Sequence, residues 1–204
     1  MLEWSLAPFL SHADCAGVVV VLAADDERWE ASPLARHAQV RAVHGGRERS
    51  DSVIAGVQAL REECADHDWV LVHDAARPCL DCLDLQRLLD TLREDAVGGL
   101  LAAAVVDTLK RADDAQRVSA TVAREQLWRA LTPQMFRYGV LARALSAAAQ
   151  RGVAITDESQ AVEMLGLRPR LVAGSSDNIK ITLPEDIERA ERLLAMLHTR
   201  DKNI

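Results

Sequence analysis

The stretch Trp69-Val-Leu-Val-His-Asp-Ala-Ala-Arg-Pro78 constrains the possible folds more than any other part of this sequence. Its apolar run is too short for a helix and rich in Val and Leu, so it reads as a strand buried on both faces. The run stops at Asp74, and two alanines separate that carboxylate from Arg77 and Pro78. Opposite charges thus leave the end of a central strand with little bulk between them, at the edge where open α/β sheets bind ligands. Taken alone, the same residues also suit an N-capping aspartate and a surface arginine. The rest of the chain has to decide.

On both sides, short apolar runs alternate with helical patterns. Leu2, Leu6, Phe9 and Leu10 recur at helical spacing, residues 17–23 read as an internal strand, and residues 39–43 form a shorter one after a weakly patterned stretch. Gly45-Gly46 breaks the pattern, and Ser50 or Asp51 can cap a helix lined by Val53, Val57 and Leu60. Asp81 can cap the next helix, which carries Leu85, Leu88, Leu89 and Leu92, and an apolar strand follows over residues 100–106. This alternation predicts an α/β fold, a mostly parallel sheet with helices on both faces.

Between Asp107 and Val122 the period changes. A polar, turn-like centre at residues 110–117 lies between Val105-Val106 and residues 118–122, which reads as a hairpin projecting from the sheet. A projecting arm needs something to pack on, and a second copy of the chain in a two-fold dimer is the simplest partner. Residues 128–136 form a mixed segment broken at Thr132-Pro133. A helix lined by Val140, Leu141, Ala144, Leu145 and Ala148 then stops at Gly152, and Thr156 is placed to cap the next one. A short strand around Arg170–Val172, an extended segment over residues 178–182 and a last helix opened by Pro184 complete the chain.

With 204 residues and no linker or repeat, one domain over 1–204 is expected, with 107–124 as its arm. A net charge of −7 without a basic block argues against a nucleic-acid or membrane surface, so any bound phosphate must be held by a few local cations. The amino terminus lacks the basic and apolar regions of a signal peptide, and a cytoplasmic location is expected. Cys79 and Cys82 form a C-x-x-C pair that suits a redox dithiol or half a zinc site, but Cys15 and Cys64 stand apart and supply no second pair. Two reduced thiols near a helix start are expected, and no protein-built metal site.

Polar residues gather at strand ends and helix starts: Gly46 to Ser52, Asp74 to Arg77, Thr108, Arg124, Thr132, Thr156 and Lys180. Each has a bland reading as a cap or a solvated charge. Together they offer cations and hydroxyls at loop positions, which suits a phosphorylated small molecule better than a protein surface or a duplex.

These segments resemble the 2-C-methyl-D-erythritol 4-phosphate cytidylyltransferase family, in order and spacing over essentially the whole chain. The resemblance is carried by Gly45-Gly-Arg-Glu-Arg-Ser-Asp-Ser-Val53, Val72-His-Asp-Ala-Ala-Arg-Pro78, Asp107-Thr-Leu-Lys110, Arg124 with Leu127-Trp128, Thr132-Pro-Gln134, Thr156-Asp-Glu158 and Asp177-Asn-Ile-Lys-Ile-Thr182. It implies a Rossmann-like nucleotidyltransferase that joins CTP to methylerythritol phosphate and releases pyrophosphate, with Mg²⁺ held mainly through the CTP phosphates. It further implies that Gly46 and Ser52 read the cytosine and that Asp74 and Ala75 lie beside the ribose and phosphates. Arg77, Thr108, Arg124, Thr132, Thr156 and Lys180 would surround the sugar phosphate, Arg124 and Lys180 holding the attacking phosphate in line. In this family the arm reaches into the partner's site, so a homodimer is implied again.

The family's opening strand and its Gly-rich loop of the type A-A-G-x-G-x-R, which hold the triphosphate, have no counterpart here. The 204-residue chain expressed alone is therefore expected to be poorly soluble and to transfer no cytidylyl group, an upstream extension restoring both. Two other readings stand beside the main one: a cytidylyltransferase for another polyol phosphate such as ribitol 5-phosphate, and a non-catalytic remnant with a dimerising or regulatory role.

Overall fold

Successive residues near the end of one long strand enter two different cores. Met135 packs with Leu88, Leu92, Leu101 and Val172, whereas its neighbour Phe136 packs with Leu141, Ala144, Leu145 and Val162. Since side chains alternate along a strand, this one is covered by helices on both faces.

The computed structural model describes residues 1–201. Its elements run α1 (Leu2–Leu10), β1 (Val18–Leu22), β2 (Val40–His44), α2 (Arg49–Ala59), β3 (Trp69–Val72), α3 (Cys82–Leu92) and β4 (Gly98–Ala104). They continue with β5 (Leu109–Ala112), β6 (Val118–Val122), β7 (Trp128–Arg137), α4 (Tyr138–Gln150), α5 (Glu158–Glu163), β8 (Arg170–Ala173) and α6 (Glu185–Asp201). The main sheet has the order β3-β7-β4-β8, with β7 antiparallel to β3 and β4, and β8 parallel to β4. Three of its four strands therefore run one way, and the expected α/β sheet is realised in mixed form. Leu88 and Leu92 of α3 are fully buried on one face, each worth roughly 1.5–3 kcal/mol relative to exposure. Helix α4 covers the other face and carries α2 and α5 with it.

Several boundaries differ from expectation, each for a local reason. The segment read as broken at Thr132-Pro133 is the ten-residue central strand β7. Proline fits because the β4–β7 register shifts between Leu100 and Ala102, so Pro133 lies in a bulge where its missing N–H interrupts no ladder. Helix α2 starts at Arg49 with Glu48 as N-cap, and Asp51 accepts from the Glu48 N–H out of the first turn; neither Ser50 nor Asp51 is the cap. Helix α5 is capped by Asp157, which accepts from Gln160 N at 2.8 Å, and not by Thr156. Asp81 caps α3 as expected, and Gly152, at φ 62°, follows α4 in the left-handed conformation that glycine takes without cost.

Strands β1 and β2 pair in parallel as a sheet of their own, tied to α4 through α2. Only Val20 of β1 is buried, so the interior burial expected for residues 17–23 is realised at one position. The arm is the antiparallel pair β5–β6, its side chains largely exposed.

Candidate active site

The carboxyl end of β3 releases His73 and Asp74 into a cluster of charges drawn from four distant segments. Asp74 Oδ2 lies 3.1 Å from Lys180 Nζ and 3.4 Å from Arg77 Nε, and its Oδ1 accepts from Arg49 Nε and Nη2 at 3.1 and 3.0 Å. Arg49 also donates from Nη1 and Nη2 to the buried carboxylate of Glu158, at 2.7 and 3.3 Å. Three cations thus face two carboxylates, a local surplus of positive charge in an acidic protein. Burial alone would raise the Asp74 carboxyl, but Arg49 and Lys180 outweigh it and hold the group below the usual carboxylate range. Burial raises the Glu158 carboxyl, with Arg49 opposing.

Backbone hydrogen bonds explain how Lys180 arrives. The Ile181 N–H donates to Ala76 O at 2.8 Å and Arg77 Nη1 donates to Asn178 O at 2.8 Å, so residues 178–181 are stitched to the loop after β3. Asn178 is itself buried and donates from Nδ2 to Thr132 O at 2.7 Å. The β7 bulge aims Thr132 at the same place, and bulges are a common means of re-aiming a side chain beside a site. Thr132 Oγ1 accepts from Asp74 N at 3.1 Å and lies 2.9 Å from His73 Nδ1. Because His73 Nε2 faces Arg77 O at 3.0 Å, that nitrogen carries the proton, and bare Nδ1 accepts from the Thr132 hydroxyl. Enclosure of the ring, which packs on Phe9, lowers the His73 pKa to about 4 and keeps it neutral.

A tight turn joins β2 to α2 beside this cluster. A Cβ on Gly45 would collide with Ser52, and one on Gly46 with Asp51, so the close packing of the turn on α2 requires glycine at both positions. A buried polar brace completes the wall: Gln134 donates to Asp157 Oδ2 at 3.0 Å and accepts from Ser159 N at 2.8 Å.

Residues 1–196 match the sequence model of the 2-C-methyl-D-erythritol 4-phosphate cytidylyltransferases. The chain belongs to that family. It is 55% identical over 188 residues to the 2-C-methyl-D-erythritol 4-phosphate cytidylyltransferase of Ectopseudomonas mendocina, covering 92% of this chain and 80% of the relative. It is 53% identical over 189 residues to that of Pseudomonas putida strain W619, with the same coverage. Among solved structures it resembles a 4-diphosphocytidyl-2C-methyl-D-erythritol synthase with a TM-score of 0.86 at 43% identity, covering 95% of this chain and 89% of the other. The Francisella tularensis cytidylyltransferase gives 0.84 at 31% identity, over 94% and 87%.

Within this cytidylyltransferase the candidate residues fall into groups. Asp74, Arg77, Thr132 and Lys180 converge directly, and Ala75 is exposed beside them. Gly46 and Ser52 share the α2 turn, while Thr156 lies at the start of α5, bonded through N and Oγ1 to Gln160 Oε1 at 2.7 and 3.2 Å. Thr132 belongs to the buried sheet and not to the arm. Thr108 and Arg124 are exposed at the base of the arm, where Arg124 Nη1 donates to Val106 O; among the described residues no hydrogen bond or ion pair joins them to the Asp74 cluster. Arg49, Glu158, His73 and Asn178 were not singled out from the sequence. Arg49 and Glu158 stand inside the motifs, and their spacing from the other charges gave no sign that they meet. Cys79 is buried against Ala190 O with its thiol pushed up to about 11, unlike a reactive thiolate. Among the described residues no helix is long and apolar enough to cross a membrane.

Proposed function

We infer that this chain transfers a cytidylyl group from CTP to 2-C-methyl-D-erythritol 4-phosphate and releases pyrophosphate, a step of non-mevalonate isoprenoid synthesis. The observation that carries the reading is the convergence of Arg49, Arg77 and Lys180 on Asp74 at a strand end, in a chain 55% identical to a named enzyme of this activity. In the reaction an oxygen of the methylerythritol phosphate attacks the α-phosphorus of CTP. A new P–O bond forms while the bond from the α-phosphorus to the bridging oxygen breaks, and pyrophosphate leaves with that electron pair. Both reactants are anions, so the protein's task is to hold them together with fixed positive charge.

Lys180 leans on Asp74 in the free protein and is placed to turn to the incoming phosphate, with Arg77 behind it. Gly46 and Ser52 line the turn for the cytosine, Asp74 and Ala75 the ribose side, and Thr156 the rim for the sugar phosphate, while Thr132, expected beside that phosphate, is buried and acts through the Asp74 backbone and His73. Arg124 completes this set from the arm of a second copy in a homodimer. Support for that assembly comes from apolar surface on the arm: Val106, 73% exposed, with Leu127 and Trp128 at its base, and Val118, 66% exposed, at the tip end of β6. Mg²⁺ would come with the nucleotide phosphates, since both Asp74 oxygens already face cations. When bound, the ion neutralises phosphate charge. The reading places the enzyme in the cytoplasm with no membrane or nucleic-acid partner.

The test, run on the chain extended upstream through the family's opening strand and Gly-rich loop, is pyrophosphate release from CTP with Mg²⁺ and either methylerythritol phosphate or ribitol 5-phosphate, with the product identified by mass. Product from the first acceptor is expected. Product from ribitol 5-phosphate instead overturns the acceptor assignment, and neither CTP binding nor any product overturns the reaction in favour of a non-catalytic role.

A further inference from the structure

We propose that Arg49 and Glu158 form a positioning pair that locks the nucleotide side and the sugar-phosphate side of the site into one register. Arg49 opens α2, and its guanidinium forks between Glu158, the first residue of α5, and Asp74, at the end of β3. It makes two contacts to each carboxylate, at 2.7 and 3.3 Å to Glu158 and at 3.1 and 3.0 Å to a single Asp74 oxygen. Among the described residues no other side chain joins these three segments by hydrogen bonds, and each carries different candidate contacts. Arg49 lies midway between Gly46 and Ser52, Asp74 adjoins Ala75, and Glu158 is two residues from Thr156.

The cost of the arrangement argues for this role over simple stabilisation. The Glu158 side chain is 0% exposed, and burying a carboxylate with one partner gains little stability over well-packed apolar residues of the same volume. What a buried bidentate pair does supply is direction: the planar guanidinium fixes distance and angle at both ends, which a point charge cannot. Glu158 is therefore a residue that acts through Arg49. It holds the guanidinium so that its remaining donors set the Asp74 carboxylate where Lys180 and Arg77 meet it.

The proposal rests on the cytidylyltransferase reading, and its test separates the two. Arg49→Lys keeps the charge and loses the fork; Glu158→Gln keeps the size and loses the charge. Each is expected to lower kcat/KM for both substrates on the order of 10- to 100-fold, with KM raised for CTP and for methylerythritol phosphate alike, as small misplacements of reacting groups do. The double variant should be no worse than the poorer single one, since both break one device. Loss of melting temperature with unchanged KM and kcat would show a purely structural pair and overturn the proposal. Should either single variant fail to fold, Arg49→Met with Glu158→Leu removes both buried charges together, and wild-type kinetics in that protein would also overturn it. A wild-type protein that neither turns over nor binds Mg²⁺-CTP by calorimetry overturns the functional reading and this inference with it. Turnover by wild type with unaltered variants removes the inference alone.

Discussion

The Asp74 cluster and the arm solve opposite problems with the same kinds of residue. At Asp74 every charge is held by partners from other segments: Lys180 by the stitching of residues 178–181 to the β3 loop, Arg49 by two carboxylates, Thr132 by His73 and the Asp74 N–H. On the arm, among the described residues, Arg124 bonds a carbonyl at the arm's own base, and Thr108 is exposed. Positioned charge is worth most where the surroundings already fix it. In the proposed dimer the arm's residues would reach that condition against the second copy, so half of the site would come from each chain.

The sharpest way to break the comparison is to remove one cation from each region. Lys180→Ala and Arg124→Ala should each cut turnover by 100- to 1,000-fold, roughly 2.7–4 kcal/mol, by analogy with the loss of one positioned donor. If Arg124 serves the partner's site, mixing the two inactive proteins should restore activity, because a mixed dimer has one site with both residues intact. Random exchange makes about half the dimers mixed, so recovery approaches roughly a quarter of wild type. Activity that stays flat on mixing, after exchange is verified by sedimentation of a labelled sample, would place Arg124 in its own chain's site or outside any site.

A smaller effect separates the two regions by pH. His73 is held neutral with its pKa lowered from 6.5 to about 4, so between those values the unfolded chain binds the proton that the folded one refuses. Stability rises with pH through that window and is lost on acidification, by about 3 kcal/mol across it. Asp74, held low, adds a loss in the same direction below its unfolded value of 3.8, whereas Glu158, held high, works against both on the way down. Urea unfolding at a series of pH values checks the slope, and His73→Gln should flatten it between 4 and 6.5. An unchanged slope in that variant would mean that the His73 ring is not the group that titrates in this window.

The elements that sequence patterning reveals are those whose side chains declare their own period. The leucines of α3, its Asp81 cap and the arm's polar centre were all legible. β7 was not, because Thr132-Pro133 reads as a break until the shifted register with β4 provides a bulge to hold it. The same limit applies to the site. Motif spacing brought Asp74, Arg77 and Lys180 forward, but a pair such as Arg49 and Glu158, 109 residues apart, becomes visible only when α2 and α5 pack on the same helix α4. The capping role read for Thr156 belongs to Asp157, and the next residue, Glu158, holds Arg49.

The smallest effect is expected at the tip of the arm, and it distinguishes a scaffold from a contact. The turn there is held by Asp113, whose Oδ1 accepts from Ala115 N and Arg117 N at 3.0 and 2.8 Å, while Gln116 adopts φ 58°. Arg117 contributes its backbone N–H to that turn, and its side chain projects from an exposed position. Arg117→Ala keeps the N–H, so stability should change by less than about 0.5 kcal/mol, as at other exposed positions, and turnover should stay within about twofold of wild type. Deleting residues 111–117 removes the end of β5 and the turn, leaving the start of β6 unpaired, and should shift sedimentation from dimer toward monomer, with activity falling most at low protein concentration. If the single substitution were as damaging as the deletion, the tip would itself be a contact, and the arm would work through its end instead of through the apolar residues at its base.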